Sequence, residues 1–197
     1  MSPSVQHPRF SRATLPVMPW KNGGGETREI ACWPPGAGLD SFGWRISIAT
    51  IAAPGPFSVF AGIDRQIMLL ECDGVQLAGK GGTLHHHLDT PYVPFAFSGD
   101  RAVDCTLLGG ASSDFNVMTR RGHWRADVQV LANRAALRPS PHGLLLALRG
   151  TWLIDAGQAL AEGDGLVWTE GPPPGMAQPQ TPGALLAWVS LYPAENL

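Results

Sequence analysis

An all-β fold follows from three features of this 197-residue chain: dense turn punctuation, short apolar runs and the lack of a helical period. Glycine (24 residues) and proline (18) break the chain every few positions. Between them lie short stretches, alternating or wholly apolar, that are bounded by Gly, Pro and Asp. No stretch sustains apolar residues at a 3.6-residue spacing. Apolar residues make up 44% and charged residues 15%, so the chain is globular and long enough for a substantial core. Its length suits one large domain or two small ones.

The strands are expected in this order. Thr27–Ala31 follows the Gly23-Gly24-Gly25 row, and Trp44–Ile51 alternates Trp and Ile with Arg, Ser and Ala. Gln66–Glu71 is an apolar run that reaches a turn at Gly74, and Val75–Ala78 continues beyond it. Thr83–Leu88 and Ala102–Leu108 complete the first half. Ala126–Leu131, Gly143–Leu148, Trp152–Ile154, Leu166–Thr169 and Ala184–Leu191 form the second. Only Asn133–Leu137 has a helical look, and Pro139 stops it. Gly171–Gly183 holds five prolines and three glycines and reads as an extended loop.

The two halves echo each other. Ile67–Leu70 reaches Gly74, continues through Val75–Leu77, and later meets Phe97-Ser98-Gly99-Asp100 before another strand. Leu144–Leu148 reaches Gly150, continues through Trp152–Ile154, and meets Glu162-Gly163-Asp164-Gly165 before Leu166–Trp168. This rhythm of a small β-barrel, written twice, predicts two similar barrels. We place them at residues 1–115 and 116–197, with strands exchanged so that the halves make one compact unit.

Charge and cysteine usage exclude several classes. A formal net charge of −2 leaves no electrostatic footprint for nucleic acid or an anionic membrane. Met1 to Trp20 carries four prolines and no apolar leader core, and no apolar run is long enough to span a bilayer. Cys32, Cys72 and Cys105 are odd in number, far apart and without CxxC spacing. They read as reduced thiols of a cytoplasmic protein, and no zinc site is expected.

Candidate chemistry centres on Met18-Pro-Trp-Lys-Asn-Gly-Gly-Gly-Glu-Thr27. Lys21 is one of two lysines, and the glycine N–H groups beside it could cradle an anion. Asn22-Gly23 is equally a hairpin signal that would explain the glycines without a ligand. The row is not a phosphate loop, because no Gly-Lys-Ser/Thr ending or helix follows. Strand alternation puts Arg45, Ser47 and Ala49 on one face, and Thr27 and Glu29 on another shared face. Such a face is either solvated or the polar lining of a barrel that holds one small ligand. Arg45 would suit a carboxylate, since its planar fork binds two oxygens at once. Arg65 either pairs with Asp64 or points toward a ligand. Asp114-Phe115-Asn116 lies between the halves, as a pocket-bearing joint or a structural crossover.

His85 and His87 share a strand face and could ligate one metal. Pro91 and Tyr92 stand where a cupin metal site needs its glutamate, so an edge-strand histidine tract is expected, with no metal and no cofactor. No serine sits in a Gly-x-Ser-x-Gly elbow, and no nucleophile–base pair emerges from spacing.

The blocks Pro19-Trp-Lys-Asn-Gly-Gly-Gly-Glu-Thr27, Trp44-Arg-Ile-Ser-Ile-Ala49, Gly55-Pro-Phe-Ser58 and Gly62-Ile-Asp-Arg65 resemble the HutD/Ves family. Phe97-Ser-Gly-Asp100, Asp114-Phe-Asn-Val-Met118 and Arg120-Arg-Gly122 continue the resemblance in order, over about residues 10 to 170. The resemblance implies a bicupin fold and, for HutD-type members, an accessory role in bacterial histidine utilisation. It implies a small pathway acid, urocanate or formylglutamate, as ligand; Ves-type members are linked loosely to stress response. The expectation is a metal-free, non-catalytic bicupin with Lys21, Asn22, Gly23, Gly24, Thr27, Glu29, Arg45, Ser47 and Arg65 at the ligand. Lys21 and Arg45 would neutralise the acid, Asn22, Thr27 and Ser47 would hydrogen-bond it, Arg65 would organise the rim, and Glu29 would meet an amine or imidazole N–H. A homodimer is the candidate assembly. The alternatives are a cupin hydrolase, isomerase or lyase acting on a small acid, and a Ves-type stress protein.

Overall fold

The computed structural model describes residues 7–82, 84–155, 157–170 and 172–194, and it is all-β. Residues 1–6 and 195–197, at the ends of the two expected domains, lie outside the described residues. So do Thr83, Ala156 and Gly171. The strands run in order β1 (Arg9–Ser11), β2 (Met18–Pro19), β3 (Gly25–Trp33), β4 (Trp44–Ile51), β5 (Gly55–Pro56) and β6 (Ile63–Glu71). Then come β7 (Val75–Gly79), β8 (His85–Leu88), β9 (Phe95–Ser98), β10 (Val103–Leu107), β11 (Ser112–Arg120) and β12 (Trp124–Leu131). The last are β13 (Ala135–Ala136), β14 (His142–Arg149), β15 (Trp152–Ile154), β16 (Gln158–Leu160), β17 (Asp164–Trp168), β18 (Met176–Pro179) and β19 (Leu185–Pro193).

The chain forms two compact units, Met1–Leu15 with Ala126–Pro193 and Pro16–Arg125 with Ala194–Leu197. Strand β1 belongs to the first because Arg9, Phe10 and Ser11 pair antiparallel with Leu166, Gly165 and Asp164. That unit holds a five-stranded sheet, β1-β17-β14-β19-β12, and a four-stranded sheet, β13-β18-β15-β16. Its interior is dry: Leu145, Trp152, Leu160, Leu166, Trp168, Leu186 and Trp188 pack into one buried cluster. The leucine-rich run of β14 is buried at every position from His142 to Leu148, as a strand covered on both faces must be.

The second unit carries a six-stranded sheet, β2-β3-β4-β11-β6-β9, and a four-stranded sheet, β5-β10-β7-β8. Ile51, Ile67 and Leu69 of the larger sheet meet Val75, Leu77, Leu88, Val103 and Cys105 of the smaller one. Trp44, Ile46 and Ile48 point from the opposite face of β4 and are also buried. All four sheets are open ladders.

The short strands β1, β2, β5, β9 and β16 were not expected from the sequence, and three further segments differ from the expectation. Residues 133–137, expected to lean to helix, contain the two-residue strand β13, which pairs with β18. Strand β18 lies inside the proline-rich segment expected to be a loop: Ala177 and Pro179 pair with Ile154 and Trp152. The largest difference is the nine-residue strand β11, which includes Asp114-Phe115-Asn116, expected to be a pocket-bearing joint or a structural crossover between the halves. It lies at the centre of the six-stranded sheet, between β4 and β6.

Candidate ligand-binding site

The pairing around β11 gathers a polar patch. Asn116 stands opposite Ser47 of β4 and Ile67 of β6; Met118 stands opposite Arg45 and Arg65; Asp114 stands opposite Ala49 and Leu69. On β3, Glu29 faces Ser47 and Thr27 faces Ala49. Directly opposed residues share a face. Thr27, Glu29, Arg45, Ser47, Arg65, Asp114 and Asn116 therefore lie on the face whose apolar end, Ile51 with Ile67 and Leu69, packs on the four-stranded sheet. Two irregularities border the patch. An extra residue, Ile30, interrupts β3 beside Glu29, and the β6–β11 register shifts between Ser113 and Asp114. Such bulges bend a strand and re-aim its side chains.

Arg45 and Arg65 are each only 8% exposed. The Arg45 Nε donates to Glu29 Oε2 at 2.6 Å, and the Glu29 side chain remains one-third exposed, so this pair borders solvent. The Arg65 Nη2 donates to Asn116 Oδ1 at 3.0 Å. Its guanidinium lies 5.2, 5.8 and 5.0 Å from the ring centres of Phe57, Phe60 and Phe97, so aromatic faces offset part of its lost hydration. Arg65 Nε and both carboxylate oxygens of Asp114 are buried without a hydrogen-bond partner.

Burial, with Arg45 as a like charge, brings the Arg65 guanidinium down to about 10, against the pull of Asp114. It stays charged at neutral pH. Burial pushes the Asp114 carboxyl up to about 7, against Arg65. Burial, then Asp114, raises the Cys105 thiol to about 12, so that thiol stays neutral.

Asp114 gives a pH signature. A raised folded-state pKa contributes stability that is fully present below the unfolded value near 3.9 and is lost as pH rises through about 7. His7, His86 and His142 are lowered by burial and act in the opposite sense, losing stability as pH falls below about 6.5. The difference between wild type and Asp114→Asn isolates the carboxyl. Urea denaturation is expected to show wild type losing about 2–4 kcal/mol relative to the variant between pH 4 and 8. A flat difference would place Asp114 in a solvated setting.

The glycine row makes a turn closed on itself. Gly23, at φ +70°, donates to the Trp20 carbonyl, and the Gly24 N–H donates to Asn22 Oδ1 at 3.0 Å. The Trp20 indole N–H donates to Thr27 Oγ1 at 2.8 Å. A side chain at Gly25 would run into the Thr50 carbonyl and the Trp20 ring. Lys21, Asn22 and Gly23 are exposed on this turn, and Gly24 is half-buried. The structure thus brings Thr27, Glu29, Arg45, Ser47 and Arg65 to one face and sets Lys21, Asn22, Gly23 and Gly24 on the turn that feeds β3.

Other motif residues build a clasp. Arg121 donates to Asp64 and Asp100 at 2.7 Å each and to Ser98 at 2.8 Å, while the Gly62 N–H donates to Asp100. That N–H, then Arg121 and Ser98, hold the Asp100 carboxyl well below the usual carboxylate range. Asp64 thus pairs with Arg121 on the outer side of β6, and strand alternation turns Arg65 inward. The histidine tract lies on the edge strand β8, with His85 and His87 exposed and His86 stacked on Phe95. Among the described residues no three His, Cys, Asp or Glu side chains are grouped to hold a metal ion. No described helix is long and apolar enough to cross a membrane.

Sequence reasoning passed over Asp114 and Asn116 as lining residues. Their signal was the alternation of Asp114, Asn116 and Met118 with Phe115 and Val117, which is a strand period with a polar inner face.

In fold, the open two-sheet β framework is cupin-like. A barrel-domain protein of the cupin 2 type from Leptotrichia buccalis has the same fold, with a TM-score of 0.59 at 9% identity over 95% of this chain and 98% of its own. The HutD family profile matches residues 12–186, and the chain belongs to that family. Protein Ves of Cronobacter sakazakii is 39% identical over 163 residues, 82% of this chain and 87% of that protein. An uncharacterised 21.2 kDa protein in the hutC 3′ region of Pseudomonas putida is 47% identical over 131 residues, 66% of this chain and 67% of its own. The solved HutD of Pseudomonas fluorescens SBW25, from a formate condition, has a TM-score of 0.83 at 30% identity, covering 96% of this chain and all of that one. Family membership and the hutC-region relative point to an association with histidine utilisation.

Proposed function

We propose that the chain is a non-catalytic, cytoplasmic bicupin that binds a small carboxylate between Arg45 and Arg65 and serves an accessory or regulatory role in histidine utilisation. The observation that carries this reading is the pair of buried guanidiniums on one inner face. Burial and the Arg45 charge lower the Arg65 guanidinium, and Glu29 bonds directly only to Arg45. Two like charges out of water cost free energy until an anion joins them. A carboxylate bridging the two forks relieves that repulsion and satisfies the unpartnered Arg65 Nε. Ser47 lies on the same face as a hydrogen-bonding group, and Lys21 on the neighbouring turn adds a charge that draws the anion in. Urocanate and formylglutamate are the ligands to test, and no metal, cofactor or nucleic acid takes part.

Calorimetric titration of wild type and Arg45→Ala against both acids tests the reading. The variant is expected to bind at least about 30-fold more weakly, because it loses a charge-assisted bidentate contact worth roughly 2 kcal/mol or more. Affinity equal to wild type would remove Arg45, and with it this function.

A further inference from the structure

Asp114 is the feature that the carboxylate reading leaves unused. It is fully buried, lies near the start of the central strand β11 on the ligand-binding face, and both of its oxygens lack a partner. A carboxylate site has no need of another carboxylate, and an uncompensated one works against anion binding. Of the other acceptors on this face, Glu29 Oε2 accepts from Arg45 and Asn116 Oδ1 accepts from Arg65, whereas Asp114 is the buried carboxylate with neither oxygen partnered. The arginines themselves carry donors only. A ligand with a hydrogen-bond donor would therefore find its acceptor at Asp114.

Placement along the strand sets the reach. The Arg65 and Arg45 side chains start opposite Met118 and bond to groups at the Asn116–Ser47 level. Asp114 is the next residue of β11 on that face, roughly 7 Å further along. Resting on the carboxylate reading above, we propose that Asp114 is the specificity-determining residue of the site. It accepts a hydrogen bond from an N–H group that the ligand carries one strand step from the carboxylate held by Arg45 and Arg65. The ligand class is thus a small acid with a neutral N–H at its far end, an amide or azole, and not a simple monofunctional acid.

The titratable groups that interact with Asp114 are Arg65 on β6 and Cys105 on β10, while Arg45 on β4 and Glu29 on β3 lie further along the same face. Arg65 stays charged and the thiol neutral near pH 7. An N–H donor favours the ionised carboxylate, so binding releases a proton from Asp114.

Two probes of one shape separate the outcomes: urocanate, with a ring N–H, and 3-(3-furyl)acrylate, which has a ring oxygen and no donor. Titration of wild type is expected to favour urocanate by about tenfold or more, the yield of a hydrogen bond to a charged group. Asp114→Asn is expected to reduce that preference to about twofold or reverse it, and Arg45→Ala to weaken both probes in parallel. Wild-type titrations with formylglutamate, which has an amide N–H and no group of its own titrating near pH 6.5, are expected to show net proton release in two buffers of different ionisation enthalpy at that pH. This readout does not depend on any variant folding. Unchanged preference in Asp114→Asn, or no proton release, overturns the role of Asp114 while a parallel loss in Arg45→Ala leaves the carboxylate site standing. If neither probe binds wild type, or Arg45→Ala alters neither affinity, the carboxylate site falls and this inference with it.

Discussion

Replacing Arg65 with methionine is expected to weaken binding of small acids about 100-fold or more while leaving the unliganded protein as stable as wild type or more so. The guanidinium is desolvated and repelled by Arg45, and its compensation is one hydrogen bond to Asn116, three aromatic faces and the pull of Asp114. Methionine keeps much of the side-chain volume against Phe57, Phe60 and Phe97 and removes the buried charge. The Asn116 oxygen loses a donor, which costs about 1 kcal/mol, and relief of the desolvation offsets it. Asp114 then relaxes to its neutral form without penalty. Urea denaturation and calorimetry on the same samples separate the two effects. A loss of more than about 3 kcal/mol in the unliganded variant would make Arg65 a structural group, and undiminished affinity would exclude it from the site.

Trp168→Ala is expected to be the most damaging change in the other unit, costing about 3–5 kcal/mol and lowering its melting transition by roughly 6–20 °C. The ring is 1% exposed within a cluster that includes Leu145, Leu166 and Leu186. Its indole N–H donates to the Ser140 carbonyl at 3.1 Å, whereas Trp152 and Trp188 leave theirs buried without a partner. Trp168 therefore loses packing and a hydrogen bond together. Gly143 makes room for the ring, since any side chain there would overlap it. A melting transition within about 2 °C of wild type would show that the cluster collapses into the cavity.

What the sequence reveals depends on how local each cause is. The turns are local: Gly23 needs its positive φ and Asn22 caps its own turn, so the hairpin was legible. Alternation is also local, and it placed Arg45 with Ser47 and Glu29 with Thr27. Burial is not local. Alternation turns Asp64 and Arg65 to opposite faces, but that Arg65 takes the buried one follows from the pairing of β6 with β11, and Arg121, 57 positions away from Asp64, occupies the outer carboxylate. The same distance effect hid β11. Asp114 and Asn116 suit turns in isolation, and only pairing with β4 on one side and β6 on the other makes them a strand. The Ala135–Ala136 and Met176–Pro179 strands were missed likewise, because each consists of weak strand formers that pair with a partner distant in sequence.

The extra residue in β3 has a consequence for how this chain can change length. In a sheet buried on both faces, removing a residue ordinarily shifts the remainder of a strand by one and carries polar side chains to the apolar side. Ile30 is different: Glu29 already opposes Ser47 and Ala31 already opposes Ile46, the next residue along β4. Excising Ile30 would leave every other partner in place and straighten the ladder beside Glu29. Insertions and deletions at this one position can therefore alter the angle at which Glu29 and Arg45 meet without unravelling the sheet that holds them.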